Sequence, residues 1–463
     1  GLGCVVHTLN PRLFADQLDY IINHAEDRWV FLDLSFVPIL EALRDRLPQV
    51  RGFVVMTDEA HMPADTALRN AMCYETLIAA GDPGFAWPRL DENTACGLCY
   101  TSGTTGNPKG VLYSHRSNVL HALTSCSGDA LALSSRETIM PVVPMFHANT
   151  WSLAFSGPMS GARLVMPGAR LDGASLHELI EAEKVTSSAG VPTVWLNLLE
   201  YLEEDPSRRL DDLERLVIGG SACPEAMMKA FEETYGVHVI HAWGMTEMSP
   251  LGSLGTRKGG LEGLSDAEWW AHKLKQGRPI YGVEMKITDD EGRELPRDGT
   301  TFGRLKVRGP AVAKSYHKGE GASDFDAEGW FDTGDVATLD AHGYMQVTDR
   351  SKDVIKSGGE WISSIEIENL AMGCPGVAEA AVIGVEHPKW GERPLLVVVA
   401  KPGSEVTGED VLGFLSGRIA KWWMPDDVRF VDEIPHTATG KVSKLTLREM
   451  LRENRLSAAD AAG

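Results

Sequence analysis

The sequence lacks any uninterrupted apolar run of about 18 residues, the length that a membrane-spanning helix requires. It also lacks the basic stretch that opens a signal peptide, because its first residues read Gly1-Leu2-Gly3-Cys4-Val5-Val6. These two absences predict a cytoplasmic protein without membrane insertion.

Positive charge is also scarce, since 44 Lys and Arg residues face 65 Asp and Glu residues and leave a net charge of −21. This balance argues against nucleic acid or an anionic membrane as a partner, because both are bound through basic patches. A polyanionic ligand would need basic residues concentrated at its own site. The candidates for such a role are Lys109, Arg350, Lys352, Lys356 and Lys441.

Cysteine is sparse as well, with seven residues scattered between Cys4 and Cys374. An odd, scattered set predicts reduced thiols rather than disulfides. Cys96 and Cys99 form one C-x-x-C pair, but no second pair stands at zinc spacing, so packing is favoured over a metal or redox role. The 463 residues, 43% hydrophobic and 24% charged, are enough for two or three folded cores.

The segment 101–110 contains three glycines, four hydroxyl side chains and one lysine. Glycines let several backbone N–H groups point into one concavity, and the hydroxyls and Lys109 add donors and a positive charge, so the segment predicts a phosphate-binding loop. Asn107 and Pro108 separate the second glycine from the lysine, which excludes a Walker A loop. Strands are predicted on both sides, at 95–100 and 110–113, and a flexible surface turn is the alternative. The residues assigned to the nucleotide are Thr101, Ser102, Gly103, Thr104, Thr105, Gly106 and Lys109.

Six further motifs follow in order. They are Pro144-Met145-Phe146-His147, Gly219-Gly220-Ser221-Ala222, Trp243-Gly244-Met245-Thr246-Glu247, Thr333-Gly334-Asp335, Asp349-Arg350-Ser351-Lys352-Asp353 and Thr439-Gly440-Lys441. With the 101–110 loop they resemble the signatures of the adenylate-forming superfamily, which contains acyl-CoA synthetases, luciferases and peptide-synthetase adenylation domains. The resemblance runs through the whole chain and implies an enzyme that uses ATP, Mg²⁺ and CoA.

The third and fourth of these motifs predict the nucleotide site. Glu247 can bind Mg²⁺ as a hard oxygen donor, Thr246 can donate to phosphate, and the ring of Trp243 can stack on a purine. Most members of the superfamily have Tyr where this chain has Trp243, so no phenolic hydrogen bond is assigned there. The resemblance implies Asp335 and Arg350 as ribose ligands, although a lone Asp in a turn is usually a turn residue. It also places at the nucleotide Gly220, Ser221, Ala242, Gly244 and Met245.

The stretch 141–151 combines two prolines, a histidine and a tryptophan around a predicted strand end, which is typical of a pocket wall. In the resembling acyl-CoA synthetases, the position of His147 lies between the carboxylate and nucleotide sites, and that of Trp151 lines the acyl tunnel. Gly219 and Met245 are assigned to the same pocket. The alternative is a core tryptophan beside a hydrogen-bonded core histidine.

Alternating helical and extended patterns predict a layered α/β architecture, and short strands at 281–349 predict a small β subdomain. We predict an adenylation domain at 1–349 that lacks its first segment, a hinge at 350–352 and a mobile α+β domain at 353–463. A helix is expected near 409–422. Another helix is expected to follow Ser114, with an apolar face formed by Val119, Leu120 and Leu123, and with His115 and His121 as surface or cap residues.

Two basic loops of the C-terminal domain carry the rest of the predicted chemistry. By the resemblance, Lys441 covers the acyl carbon during adenylation, and rotation about Lys352 then presents the 356–361 loop to CoA. Solvated lysines on glycine-rich loops are the alternative. The residues assigned to CoA or to the hinge are Lys352, Lys356, Gly358, Gly359 and Trp361.

The predicted function is therefore AMP-forming acyl-CoA synthesis from a carboxylic acid, ATP and CoA, with Lys441, Thr246, Glu247 and Lys109 as catalytic residues. The segments 242–250 and 422–427 are most similar to medium-chain fatty-acid ligases and 3-methylmercaptopropionate-CoA ligases, and the latter are favoured. The alternatives are an enzyme that loads a carrier protein and a non-catalytic nucleotide sensor, which would not need Lys441. A homodimer is compatible with the sequence.

Overall fold

The computed structural model describes residues 1–101, 107–350, 353–357, 360–436, 442–453 and 455–456. The chain divides into two compact units, one formed by 1–116 with 315–320 and the other by 117–314 with 321–463. The predictions for Ser102–Gly106, Lys352, Gly358, Gly359 and Lys441, and for the side chain of Trp361, lie outside the described residues. In the described part of the chain, no helix is long and apolar enough to cross a membrane.

The first unit contains two three-stranded sheets and short helices. Strand β1 pairs parallel with β5, and β5 pairs antiparallel with β6. Strands β2, β3 and β4 form a parallel sheet. Helix α1 packs Leu18, Ile21 and Ile22 onto the core because these residues recur at helical spacing. The elements are β1 (Val6–His7), α1 (Ala15–His24), β2 (Trp29–Leu32), α2 (Val37–Leu43), β3 (Gly52–Val55), β4 (Ala71–Cys73), α3 (Tyr74–Ala79), β5 (Ala95–Tyr100), β6 (Gly110–Ser114) and the start of α4 (His115–Ser125).

A seven-stranded sheet, in the order β13-β12-β11-β10-β9-β7-β8, organises the second unit. Strands β8, β7, β9, β10 and β11 are parallel, β12 runs antiparallel to β11, and β13 runs antiparallel to β12. Both faces are apolar, since Leu216 and Ile218 of β10 pack on one face and Val217 on the other. The elements are β7 (Thr138–Pro141), α5 (Ala148–Trp151), α6 (Leu153–Ser160), β8 (Arg163–Leu164), α7 (Gly173–Glu183), β9 (Ser187–Gly190), α8 (Pro192–Glu203), β10 (Arg215–Ile218), α9 (Glu225–Lys229), β11 (His238–Gly244), β12 (Leu251–Leu254), α10 (Asp266–Lys273) and β13 (Arg278–Pro279).

An antiparallel sheet follows, formed by β14 (Glu284–Thr288), β15 (Gly303–Arg308), β16 (Phe331–Leu339) and β17 (Met345–Arg350). The last part of the chain forms a five-stranded sheet in which β22 pairs parallel with β21. Helices α11 and α12 pack on one face of this sheet, and α13 packs on the other. The elements are β18 (Ile355–Ser357), β19 (Glu360–Ile362), α11 (Ser364–Ala371), β20 (Val377–His387), β21 (Gly391–Ala400), α12 (Gly408–Leu415), β22 (Asp427–Phe430) and α13 (Lys444–Arg452). The predicted α/β fold class is confirmed.

Two helix predictions are wrong in detail. In α4 the predicted apolar face is the exposed one, because Val119 is 48% and Leu123 55% exposed, whereas His121 is buried. Small and polar side chains of α4 face the core instead, and the burial of His121 is compensated by the hydrogen bonds of its imidazole. Helix α12 ends at Leu415, before the predicted end near 422, because Ser416 takes an extended conformation with ψ of 127° and Gly417 follows with a left-handed φ of 78°.

Candidate nucleotide and acyl site

The predicted phosphate-binding segment lies between two strands that pair with each other, β5 and β6. Strands β5 and β6 pair from Tyr100 and Gly110 outward, as predicted. At the base, the backbone N–H of Thr101 donates to the carbonyl of Lys109 at 2.9 Å, and the Lys109 N–H donates to the Thr101 hydroxyl at 3.1 Å. The ammonium group of Lys109 lies 4.6 Å from the ring centroid of Tyr316. These bonds hold Thr101 and Lys109 together at the adjoining ends of β5 and β6.

In the second unit, parallel strands β10 and β11 end at residues that can approach a ligand closely. A Cβ atom on Gly219 would lie 2.8 Å from the carbonyl oxygen of Ala242, so only glycine fits between the two strand ends. Gly220 takes a φ of 84°, a conformation that a side chain would strain. Ligands of open α/β sheets bind at such carboxyl ends.

Trp151 faces this glycine pair. Its Cζ2 atom lies 3.7 Å from the position that a Cβ on Gly220 would occupy, and its indole is packed against the core of the sheet. The residues that carry it are unusual, because φ is positive from Ala148 through Ser152. Left-handed backbone costs roughly 1–2 kcal/mol for each non-glycine residue, and such strain collects at functional sites. The predicted pocket wall is therefore a strained turn that presents its indole beside Gly220.

Trp243, Asp335 and Arg350 meet in the second unit although they are far apart in sequence. The indole Nε1–H of Trp243 donates to Oδ2 of Asp335 at 3.0 Å. The guanidinium Nε of Arg350 lies 2.9 Å from Oδ1 of the same carboxylate, because Asp335 and Arg350 are partners in the β16–β17 pairing. A second guanidinium nitrogen of Arg350 donates to the carbonyl of Thr333 at 3.2 Å. The two predicted ribose ligands are thus one ion pair, and the sequence reasoning missed its indole partner.

Glu247 lies in a short 3₁₀ turn that spans Thr246–Met248 and follows β11. Its side chain is only 5% exposed, and its carbonyl accepts from the N–H of Ala313 at 2.7 Å. Within the described ranges, no group of three or more His, Cys, Asp or Glu side chains could hold a metal by itself. A single carboxylate nevertheless fits Mg²⁺, which commonly keeps several waters and is held by one or two carboxylates plus substrate phosphates.

Two buried histidines support the loops of this site, although His121 was predicted to be a surface or cap residue and His241 was given no role. Nε2 of His121 accepts from the N–H of Leu251 at 3.0 Å, and Nε2 of His241 accepts from the N–H of Cys223 at 3.3 Å. Burial lowers the pKa of His121 to about 3 and that of His241 to about 4. Both imidazoles are therefore neutral acceptors at physiological pH and brace the segments that follow Gly219 and Met245. The position of His121 in a helix and of His241 in a strand could not have revealed this, because each partner comes from a distant strand or loop.

The C-terminal part of the chain contacts β17 through polar side chains. The hydroxyl of Ser363 donates to the carbonyl of Thr348 at 2.7 Å, and Asp349 accepts from the N–H of Ser364 at 3.0 Å. Lys356 is exposed on β18, and its N–H donates to the carboxylate of Glu392. Whether Lys356 contacts CoA stays a prediction, as do the roles of Lys352 and Lys441.

The parallel sheet, its glycine-containing strand ends and the buried Asp335 carboxylate paired with the Arg350 guanidinium are the features of a nucleotide-binding α/β protein. Comparison with known families makes this specific. Residues 1–317 match the model of the AMP-binding enzyme family, and residues 366–441 match that of the AMP-binding enzyme C-terminal domain. The chain belongs to the AMP-binding enzyme family, as the motifs predicted.

The chain is also similar to individual members of this family. A medium-chain-fatty-acid–CoA ligase of Ectopseudomonas oleovorans is 50% identical over 97% of this chain and 82% of the relative. A 3-methylmercaptopropionyl-CoA ligase of Ruegeria lacuscaerulensis is 52% identical over 98% of this chain and 84% of the relative. Among solved structures, the anthranilate CoA ligase AuaEII in complex with anthranoyl-AMP is similar, with a TM-score of 0.85 and 26% identity over 97% of this chain and 83% of that one.

Proposed function

We propose that the protein is an ATP-dependent ligase that joins a carboxylic acid to CoA through an acyl-adenylate. The observation that carries the proposal is the buried Asp335 carboxylate, oriented by Arg350 in the second unit. This arrangement suits the hydroxyls of a ribose. The relatives at about half identity, which are named as CoA ligases for aliphatic acids, support the same reaction.

The first half-reaction activates the acid, because a carboxylate would otherwise have to expel oxide. A carboxylate oxygen attacks the α-phosphorus of ATP, and the bond to the leaving pyrophosphate breaks. Two anions must approach each other, so catalysis rests on positioning and on positive charge. Lys109 and the 101–110 loop bind the phosphates, Thr246 donates to them, and Lys441 contacts the reacting carboxylate. Glu247 would hold Mg²⁺, which would neutralise charge on the phosphate oxygens.

The second half-reaction transfers the acyl group to sulfur. The CoA thiolate attacks the acyl carbon, and AMP leaves with the electrons of the broken acyl–phosphate bond. Lys441 has to leave that carbon first, so the C-terminal domain rotates about Lys352 and brings the 356–361 loop to the thiol. Nucleotide contacts through Asp335, Arg350 and the strand ends at Gly220 are kept throughout.

The preferred acid is short or medium in length and aliphatic, and 3-methylmercaptopropionate is the leading candidate. The position of the Trp151 indole beside Gly220 supports this, because a bulky ring in the proposed acyl pocket would leave less room for a longer chain. His147, Gly219 and Met245 complete the proposed acyl pocket. We also propose a cytoplasmic location and a homodimer, and light scattering on the purified protein tests the latter.

Pyrophosphate release across a panel of carboxylic acids tests the reaction, followed by thioester detection with CoA. Release with C4–C8 acids or 3-methylmercaptopropionate, and a thioester only when CoA is present, is expected. Pyrophosphate release without any thioester would instead indicate an enzyme that loads a carrier protein. Nucleotide binding without pyrophosphate release from any acid would indicate a sensor.

A further inference from the structure

The Asp335 carboxylate is held at both oxygens by donors from two different strands. Trp243 on β11 donates its indole N–H to Oδ2, and Arg350 on β17 lies against Oδ1, at 3.0 and 2.9 Å. The indole and the carboxylate belong to residues 92 positions apart, in two different sheets. Their hydrogen bond therefore joins the parallel sheet to the antiparallel one.

The hydrogen bond between Trp243 and Asp335 is shielded from solvent. Asp335 is 2% and Trp243 9% exposed, so neither the carboxylate nor the N–H can readily exchange its partner for water. The backbone N–H of Asp335 also donates to the Thr333 hydroxyl at 3.1 Å, which fixes the main chain beneath the carboxylate. Each carboxylate oxygen has about two acceptor positions. The donors at Oδ1 and Oδ2 fix the plane of the carboxylate and so select the directions in which it can accept a hydrogen bond from a ligand hydroxyl.

We propose that Trp243 is a positioning residue whose indole N–H sets the orientation in which Asp335 binds the ribose hydroxyls. This inference rests on the ribose role given to Asp335 in the proposed function. It differs from purine stacking, the role predicted from the sequence, because stacking needs only an aromatic face and this role needs the N–H. Phenylalanine keeps a ring and removes the donor, so the two roles can be separated.

The test is direct binding of AMP, 2′-deoxy-AMP and 3′-deoxy-AMP, measured by calorimetry on the full chain without acid or CoA. Wild-type protein should bind AMP more tightly than at least one deoxy analogue. Trp243→Phe should weaken AMP binding about tenfold, the effect of losing one hydrogen bond to a charged group. It should weaken binding of the discriminated analogue much less, so that the preference for AMP shrinks. Trp195→Phe is the matched control, because Trp195 is buried in the core and its indole N–H has no partner among the described residues.

A uniform loss of affinity for AMP and both analogues would overturn the inference, because the ring alone would then explain the effect. Trp243→Tyr serves if the phenylalanine variant does not fold, and it should shrink the preference in the same way. Asp335→Ala should abolish the preference, and adding Trp243→Phe to it should cost nothing more. If wild-type protein shows no preference, Asp335 is not a ribose ligand and both ideas fail. If Asp335→Ala removes the preference and Trp243→Phe keeps it, only the positioning role is wrong.

Discussion

Asp335 and Asp349 are both buried carboxylates near the end of the antiparallel sheet, yet their surroundings differ. Asp335 is tied to Arg350 by strand pairing and to the indole of Trp243, so its position follows from backbone register. Asp349 is tied to the C-terminal part of the chain through the N–H and the hydroxyl of Ser364, at 3.0 and 2.5 Å. Contacts of the second kind can break without unpairing a strand.

Two charged pairs lie within the predicted C-terminal domain itself, and neither of them crosses to β17. Nη1 of Arg448 lies 2.7 Å from a carboxylate oxygen of Asp353, and Nζ of Lys444 lies 2.8 Å from one of Glu368. Charged side-chain pairs tolerate rearrangement better than a hydrophobic interface, which is why interfaces between moving domains are relatively polar. The proposed two-step reaction needs a fixed ribose side and a C-terminal part that changes its contacts, and the hydrogen bonds of Ser363 and Ser364 to β17 join the two.

The largest effect is expected for a substitution of Lys441, in the C-terminal part of the chain. Lys441→Ala should slow adenylation about 10²-fold or more, the scale for losing one charge partner of a transition state. The same variant, supplied with ready-made acyl-AMP, should still form acyl-CoA at a rate close to wild type. Separate assays of pyrophosphate release and thioester formation check this. Lys401→Ala, which changes an exposed lysine of the same part of the chain, is the control. Equal loss in both half-reactions would contradict the division of labour.

A substitution at the proposed hinge should separate the two steps the other way. Lys352→Pro fixes φ at a position that has to change it, so one arrangement should be trapped. Adenylation should stay within a few-fold of wild type, and acyl transfer to CoA should fall by about tenfold or more. Lys352→Ala, which removes the side chain but leaves φ free, should affect transfer less. Normal overall turnover in the proline variant would place the hinge elsewhere.

How far the sequence predicted the site depended on the distance between partners. The 95–100 and 110–113 strands were predicted from a local pattern, and the structure confirms the pairing of Tyr100 with Gly110. The glycines at 219 and 220 were likewise recognisable, because a strand that ends in small residues is a local signal. The bond between Trp243 and Asp335 was not, since nothing near either residue indicates the other.

The burial of His121 was also not predictable from the sequence. Its place in a predicted amphipathic helix suggested exposure, and the structure buries it against the N–H of Leu251, 130 residues later. Burial of a polar side chain is decided by the partner that satisfies it, and that partner is visible only in the fold. The family motifs supplied such distant information for Asp335 and Arg350, because they carry the result of a known fold.

A smaller effect on activity is expected for a substitution of Trp151 in the proposed acyl pocket. If the Trp151 indole closes the pocket, Trp151→Ala should move the preferred acid toward longer chains. Each additional buried methylene contributes about 0.8 kcal/mol, or about fourfold in kcat/KM. Measuring kcat/KM for a series of acids from four to twelve carbons on both proteins checks this. Phe155→Ala, which removes an exposed aromatic ring of the following helix, is the control. An unchanged optimum, or a wild-type optimum at long chains, would remove Trp151 from this role.

The smallest expected effect concerns the base of the loop that carries Lys441. His436 bridges to Val442 in the backbone, and its Nε2 lies 2.7 Å from a carboxylate oxygen of Glu379. The hydrogen bond with Glu379 raises the pKa of His436 above its ordinary value of 6.5. A raised folded-state pKa means that the stabilisation is complete below about pH 6.5 and is lost as the pH rises through the folded value. The pair is partly exposed, so solvent screening limits its contribution to about 1 kcal/mol or less.

His436→Gln should therefore lower the melting temperature at about pH 6 and make little difference at about pH 9, where the wild-type imidazole is neutral. Adenylation by the variant should fall in the same pH range, because the loop base is then less firmly held to β20. Thermal unfolding and pyrophosphate release at both pH values measure the two effects. His61→Gln removes a similar but exposed pair with Asp58 and provides the control. A melting difference between wild type and His436→Gln that is independent of pH would show that the charge of the His436–Glu379 pair contributes nothing to stability here.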